Sequence, residues 1–216
     1  METRSITLNT LLISACAVIG IEGAARFVIA KGILLPMAGL GAARIIQIVV
    51  MVAVVRILEK RITCIGISRS GILAGLKKGV IWSGSFGLAT AAVFGVLLLC
   101  GVDVVKLFQL SEPIGKNNIV LFLFIGVIIG PLAEEIFFRG LIYGFFRPWG
   151  FAPALVVSTI FFVLPHLAGS SVPLTQAVGG LLFAVAYEVE KNLMVPIVIH
   201  CLGNLAIFSL SFIPQI

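Results

Sequence analysis

An all-α, polytopic transmembrane helix bundle with about seven spans is the fold class this sequence predicts, and three observations predict it. Hydrophobic residues make up 60% of the 216 and charged residues only 11%. Mean hydropathy is +1.21, whereas a soluble domain of this size carries roughly twice that charge. The apolar residues also fall into runs near the ~20 residues a helix needs to cross the hydrocarbon core, with basic residues gathered between them.

Seven runs qualify. The first, Leu8–Ala30, carries Glu22 and Arg26 four apart, so one helix face holds both as an internal pair. Within it, Ile13-Ser14-Ala15-Cys16 has the look of a lipoprotein cleavage site. The apolar stretch before the cysteine is too short for a signal h-region, and the hydrophobic run continues past it, so the span is expected to be retained. The second, Ile33–Leu58, holds Arg56 near one end, where it can snorkel, and the deeper Arg44, which needs a carboxylate from elsewhere. The third, Gly79–Gly101, follows the most basic segment of the chain. The fourth, Asn118–Phe146, is interrupted by Pro131-Leu132-Ala133-Glu134-Glu135-Ile136-Phe137-Phe138-Arg139-Gly140. The fifth, Phe151–Leu167, ends at His166, and the seventh, Leu193–Ile213, carries His200 and Asn204. The sixth, Thr175–Glu188, is short and contains Gly179 and Gly180, which predicts a tilted helix or one partly covered by its neighbours. The whole of 1–216 reads as one integral membrane domain, without repeats or linkers.

Loop charge gives the expected orientation. Lys60, Arg61, Arg69, Lys77 and Lys78 mark 59–79 as cytoplasmic, which puts the N-terminus with Arg4, and also Arg147 and Lys191, on the same side. Lys31, Lys106 and Lys116 fall opposite. The basic segment, with Ile65, Ile67, Ile72, Leu73 and Leu76 interspersed, reads as partly helical and lying on the membrane surface. The net charge of +6 is therefore topology information, and without aromatic-interleaved basic clusters it implies no nucleic-acid partner. Cys16, Cys64, Cys100 and Cys201 lack pairing or ligand spacing and read as free thiols. Gly126 and Gly130, and Gly140 and Gly144, have the four-residue spacing that lets helices approach closely.

An ionisable group at mid-membrane costs at least ~2.5–3.5 kcal/mol on insertion scales, so those present are paired or functional. Glu134, Glu135 and Arg139 share the fourth span, and the only two histidines, His166 and His200, end the fifth and occupy the seventh. Glu135 and Arg139 are four apart, as are His200 and Asn204. Glu134 is turned about 100° from Glu135, so one carboxylate can pair with Arg139 while the other faces a cavity. At ~1.5 Å per residue, Glu134 lies roughly 20 Å, His166 roughly 22 Å, Asn204 roughly 16 Å and His200 roughly 10 Å from the cytoplasmic ends of their spans, so all four can meet. Such an inventory suits hydrolysis: a base for water, an imidazole to orient it, and N–H donors for an oxyanion.

These residues carry a resemblance. EEIFFR matches EExxxR, FVLPH matches FxxxH and HCLGN matches HxxxN, the three motifs, in order, of the CPBP family of CAAX proteases and bacteriocin-processing membrane proteins. The likeness covers roughly Asn118 to Ile213, the catalytic half at about 118–213. It implies a glutamate-dependent, metal-independent intramembrane endopeptidase of the type II CAAX protease kind, with no cofactor. By the family pattern Glu134 and His166 hold and activate the attacking water, His200 and Asn204 stabilise the oxyanion, and Glu135 and Arg139 support the site. The implied partners are membrane lipid and a membrane-presented peptide or protein tail, lipidated or carrying a C-terminal sorting signal, in a prokaryotic plasma membrane. Two departures stand out: Pro165 directly precedes His166, which predicts a local bend, and the loop 188–192, with Glu188 and Glu190, is acidic enough to affect substrate entry.

Other intramembrane chemistries lack their residues. There is no HExxH, Asp103 is the sole aspartate, and Gly84-Ser85-Phe86-Gly87 is not a serine-protease motif. Three readings stay open at this point: zinc held by two histidines and a glutamate, a non-catalytic immunity or partner-binding protein, and a proton-coupled carrier.

Overall fold

Backbone amides in lipid have no water to bond to, so apolar runs must close their hydrogen bonds internally. The computed structural model describes residues 5–102, 119–167 and 173–210, and among these it contains helices and turns and no strand. Seven helices follow in order: α1 Leu8–Ala30, α2 Pro36–Leu58, α3 Ile72–Leu99, α4 Ile119–Trp149, α5 Phe151–Val163, α6 Leu174–Glu190 and α7 Met194–Leu210. Each corresponds to one of the seven predicted spans. Four stretches, containing α1 to α4, are long and apolar enough to cross a bilayer, and α5 and α7 are shorter apolar helices. The protein is an all-α polytopic integral membrane bundle. The charges at Arg4, Lys106 and Lys116 and the predicted span ends Asn118 and Ile213 lie outside the described residues.

Boundaries moved for local reasons. Gly32 turns the chain at φ +69° and Pro36 then starts α2 at a position where its missing N–H costs nothing. α3 begins seven residues before Gly79, at Ile72, after Ser68 caps a short turn by accepting from Gly71 N. The basic segment is partly helical, as its pattern predicted: two 3₁₀ turns lead into the first turns of α3. Its first part is a 3₁₀ turn, Ile62–Ile65, whose Cys64 and Ile65 are buried in the bundle. A Cβ at Gly140 would come within 3.2 Å of Ile65, so the small residue at 140 makes room for this plug.

α4 is the hub: α1, α2, α5, α6 and α7 all pack on it, and α3 packs chiefly on α7. Tyr143, Leu141 and Ile136 of α4 meet Met51 and Val55 of α2, Tyr187 of α6 and Ile197 of α7 in the larger apolar core. At one end the elements are tied by ions. Glu188 accepts from Arg147 Nε and Nη2 at 2.8 and 2.7 Å, pairs with Lys191 and takes the Tyr143 hydroxyl. Glu190 accepts from Trp82 Nε1 at 3.1 Å and pairs with Lys78. Glu188 and Glu190, in the last turn of α6, thus tie α6 to α4 and α3. Glu59, after α2, accepts from Thr7 N, Thr7 Oγ1 and Thr10 Oγ1 at 2.9, 2.9 and 2.5 Å, fixing the start of α1.

Glu22, Arg26 and Arg44 are also paired. Glu22 bonds Arg26 at 3.3 Å, as the spacing predicts, and Arg44 of α2 at 3.2 Å. Arg44 also donates to Gln47 at 2.8 Å, and Gln47 reaches the Val18 carbonyl at 3.3 Å. Arg26 is 79% exposed and Arg44 only 22%, so the cross-helix pair is the better shielded. All four cysteines are free thiols.

Candidate active site

The site begins with a break in helical register. Along Phe124–Ile129 α4 is π-helical, and Gly130 N donates to Ile125 O, five residues back. Pro131 follows, and Gly130–Glu135 returns to α-helix before a second π-helical stretch, Ile136–Tyr143. Glu134 and Glu135 therefore sit on a single α-helical turn between two wider ones, a setting common at functional sites.

Glu135 is fully buried and Glu134 is 21% exposed. The 100° between them sends Glu135 inward to Arg139, Oε1 to Nη1 at 2.9 Å, as the four-residue spacing predicts. Arg139 is itself fully buried, donates from Nη2 to the Gly180 carbonyl at 3.1 Å, and lies 4.4 Å from the Phe162 ring and 5.1 Å from the Phe183 ring. An added Cβ at Gly180 would meet Thr159 at 3.0 Å and Phe162 at 3.3 Å, so the predicted close packing of α6 has a specific cause.

His200 Nδ1 lies 2.8 Å from the same Glu135 Oε1. A carboxylate paired to a guanidinium only accepts, so Nδ1 carries the proton and Nε2 is turned the other way. It faces Glu134 Oε2 at 3.8 Å. The imidazole is stacked on Phe183, centroids 4.7 Å apart and planes at 20°, with Phe162 edge-on at 5.7 Å.

His166 is half-buried in the 3₁₀ turn Leu164–His166. Pro165 sits in this tightened turn, which is the form the predicted bend takes. His166 Nδ1 donates to the Phe162 carbonyl at 2.8 Å, leaving Nε2 as the free acceptor, and its ring lies 5.3 Å from Phe162. The two histidines thus flank one phenyl ring. Asn204 Nδ2 donates to the Gly126 carbonyl at 2.9 Å. Among the described residues no three His, Cys, Asp or Glu side chains gather as metal ligands.

The arrangement brings Glu134, Glu135, Arg139 and His200 into one connected group, with His166 joined through Phe162 and Asn204 through α4. Phe183 and the Gly180 carbonyl were not singled out by sequence reasoning. Gly179-Gly180 stood out only as a packing signal, and nothing in an apolar helix marks one phenylalanine over another.

Comparison with known proteins agrees with the motifs. Residues 116–206 match the family model described as type II CAAX prenyl endopeptidase, Rce1-like. Over 95 residues the chain is 39% identical to the membrane-embedded CAAX protease MroQ of Staphylococcus aureus (strain USA300), covering 41% of this chain and 38% of that protein. The chain therefore spans well under half the length of this curated relative. No solved structure matches it. Residues 116–206, which hold all three motifs, are similar to the CAAX protease-like CPBP family.

Proposed function

We propose that the protein is an intramembrane endopeptidase that hydrolyses a peptide bond with a water activated by Glu134. The observation that carries this is the 3.8 Å approach of Glu134 Oε2 to His200 Nε2, with Nδ1 of that ring fixed by buried Glu135. Glu134 is only partly exposed and makes no shorter polar contact to His200, so its carboxylate is open to a water held between it and the histidines. In the proposed sequence Glu134 takes the water proton as the oxygen attacks the carbonyl carbon. His166 Nε2 orients that water. The proton then reaches the leaving amine, and the collapsing intermediate breaks the C–N bond. Between those two steps the proton rests on His200 Nε2, handed on by Glu134; the imidazolium, held by Glu135, stabilises the oxyanion with the second amide N–H of Asn204 and then releases that proton to the amine nitrogen. Removing one such donor costs ~10²–10³ in rate.

The substrate class proposed is a peptide or protein tail presented within or at the bilayer, lipidated or bearing a C-terminal sorting signal. The N-terminus is proposed to be cytoplasmic, in a prokaryotic plasma membrane, and residues 1–216 to act as one membrane unit with the catalytic half at about 118–213. No metal or other cofactor enters the proposed chemistry.

The test uses purified protein in liposomes with two quenched peptides of the same sequence, one farnesylated on its CAAX tail and one bare. A parallel mass-spectrometric comparison follows membrane peptides in strains carrying wild type or Glu134→Gln. We expect Glu134→Gln to lower cleavage by at least ~10²-fold and a precursor to accumulate in the variant strain. Equal cleavage by both proteins, or identical peptidomes, would overturn the reading in favour of a binding protein.

A further inference from the structure

Asn204 has a duty that comes from the backbone of α4. In the π-helical stretch Gly130 N donates to Ile125 O, which removes it from its α-helical acceptor, Gly126 O. The next amide in the π register would be that of residue 131, and residue 131 is a proline without an N–H. Neither the α-helical nor the π-helical backbone donor is therefore available to Gly126 O. A carbonyl left this way in a membrane span, where lipid offers no donor, costs as much as a lost hydrogen bond. The carbonyl is not left bare, because Asn204 Nδ2 donates to it at 2.9 Å from α7.

The packing is built around that bond. His200, Asn204 and Phe208 are four apart and share one face of α7. An added Cβ at Gly126 would come within 2.7 Å of the Phe208 ring, so α7 lies directly on α4 where the bond forms. Phe122 and Phe208 pack with centroids 4.9 Å apart on the same seam. Pro131 opens the turn that ends in Glu134 and Glu135. The Asn204 bond consequently fixes both the helical register on which Glu134 sits and the seating of α7, which carries His200.

We propose that Asn204 is a positioning residue: its amide replaces the backbone hydrogen bond that Pro131 cannot make, and so sets Glu134 against His200. This rests on the reading of Glu134 as the base, and it assigns part of the loss in any Asn204 variant to a displaced turn. A misplacement of about 1 Å is enough to cost ~10²-fold in rate.

The partner of this interaction is Pro131, which allows a test by rescue. Wild type, Asn204→Ala, Asn204→Leu, Pro131→Ala and Pro131→Ala/Asn204→Ala are purified in detergent, with thermal melting to confirm that each is folded. In the Pro131→Ala background either the restored amide at 131 or a return of Gly130 N–H to the α register satisfies Gly126 O. Amide hydrogen exchange across 126–136 is the first readout and needs no substrate. We expect both single Asn204 variants to exchange about tenfold faster there than wild type, and the double variant to regain at least half of that protection relative to Pro131→Ala alone. Equal exchange in Asn204→Ala and the double variant overturns the proposal. The second readout is cleavage of the farnesylated quenched peptide. The rescue should appear in kcat, by at least fivefold, with KM unchanged. Exchange that recovers while kcat stays at the Asn204→Ala level would refute the positioning of Glu134. Absence of cleavage by wild type is a failure of the endopeptidase reading alone, and the exchange comparison still decides the role of Asn204.

Discussion

Removing Arg139 tests the electrostatic logic of the site most directly. The guanidinium is fully buried, 2.9 Å from Oε1 of a carboxylate that is also fully buried, and Glu135 Oε2 has no hydrogen-bond partner. In Arg139→Met the methionine fills much of the space among Phe138, Phe162 and Phe183, so the loss is chiefly electrostatic. Glu135 would keep only the His200 Nδ1 donor at 2.8 Å. Breaking a buried pair by removing one partner costs about 3–5 kcal/mol. For a chain of 150–250 residues, each kcal/mol moves the melting midpoint by about 2–4 °C, so a fall of roughly 6–20 °C is expected. Glu135→Met/Arg139→Met removes both charges, and apolar replacements of buried pairs are often neutral or stabilising. It gives up the His200 contact, so at least half of the lost stability should return, without activity. Thermal melts of purified protein in one detergent at fixed pH measure all three. If Arg139→Met melts within about 2 °C of wild type, or if the double variant is no more stable than the single, the pair does not hold the site as argued.

Two further predictions concern the frame around the site. An added Cβ at Gly79 would lie 2.5 Å from Val198 Cβ and 3.2 Å from the Val195 carbonyl, so Gly79→Ala must push α3 off α7, at ~1–3 kcal/mol; Gly87→Ala, with nothing within 4 Å, should melt like wild type. Glu59 is partly buried, which pushes its carboxyl up, but hydrogen bonds from Thr10 and Thr7 and the charge of Arg61 outweigh this and hold it below the usual range. A depressed folded-state value means the clamp on α1 contributes fully above the ordinary carboxylate value of about 4.3 and is lost as pH falls through the lower folded value. The melting advantage of wild type over Glu59→Gln should therefore be constant from pH 7 to about 5 and vanish towards pH 3; an advantage that grows on acidification would contradict the assignment.

What was legible in the sequence depended on whether a contact is set by one helix or by two. The pairs Glu135–Arg139 and Glu22–Arg26 follow from helical period alone, which no neighbour alters. The outward turn of Glu134 follows from the same angle. The partner of Arg44 was not legible, because it depends on how deep α1 sits beside α2. The burial of Ile65 within the basic segment was not legible for a related reason: it depends on a notch at Gly140 on α4. The partners of the acids at 188 and 190 were not legible, because Arg147, Lys78 and Trp82 stand on other elements. Pro131 was visible in the sequence, but its effect depends on a side chain 73 positions away that takes up the orphaned carbonyl.

The neighbouring carboxylates divide two requirements that one acid could not meet. A base for water must reach the cavity, and Glu134 does so at the cost of a definite hydrogen-bonding environment. A support for His200 must be rigid and charged in a place without water, and Glu135 can be both only because Arg139 neutralises it. Arg139 is tolerated in turn because the Gly180 carbonyl and the faces of Phe162 and Phe183 take the place of its hydration. Each of these residues depends on the next for its burial, so the chain of contacts runs outward from Glu134 to α6. That chain opens at Glu134 Oε2 and His200 Nε2, 3.8 Å apart, and the proposed reaction places its water beside these two atoms.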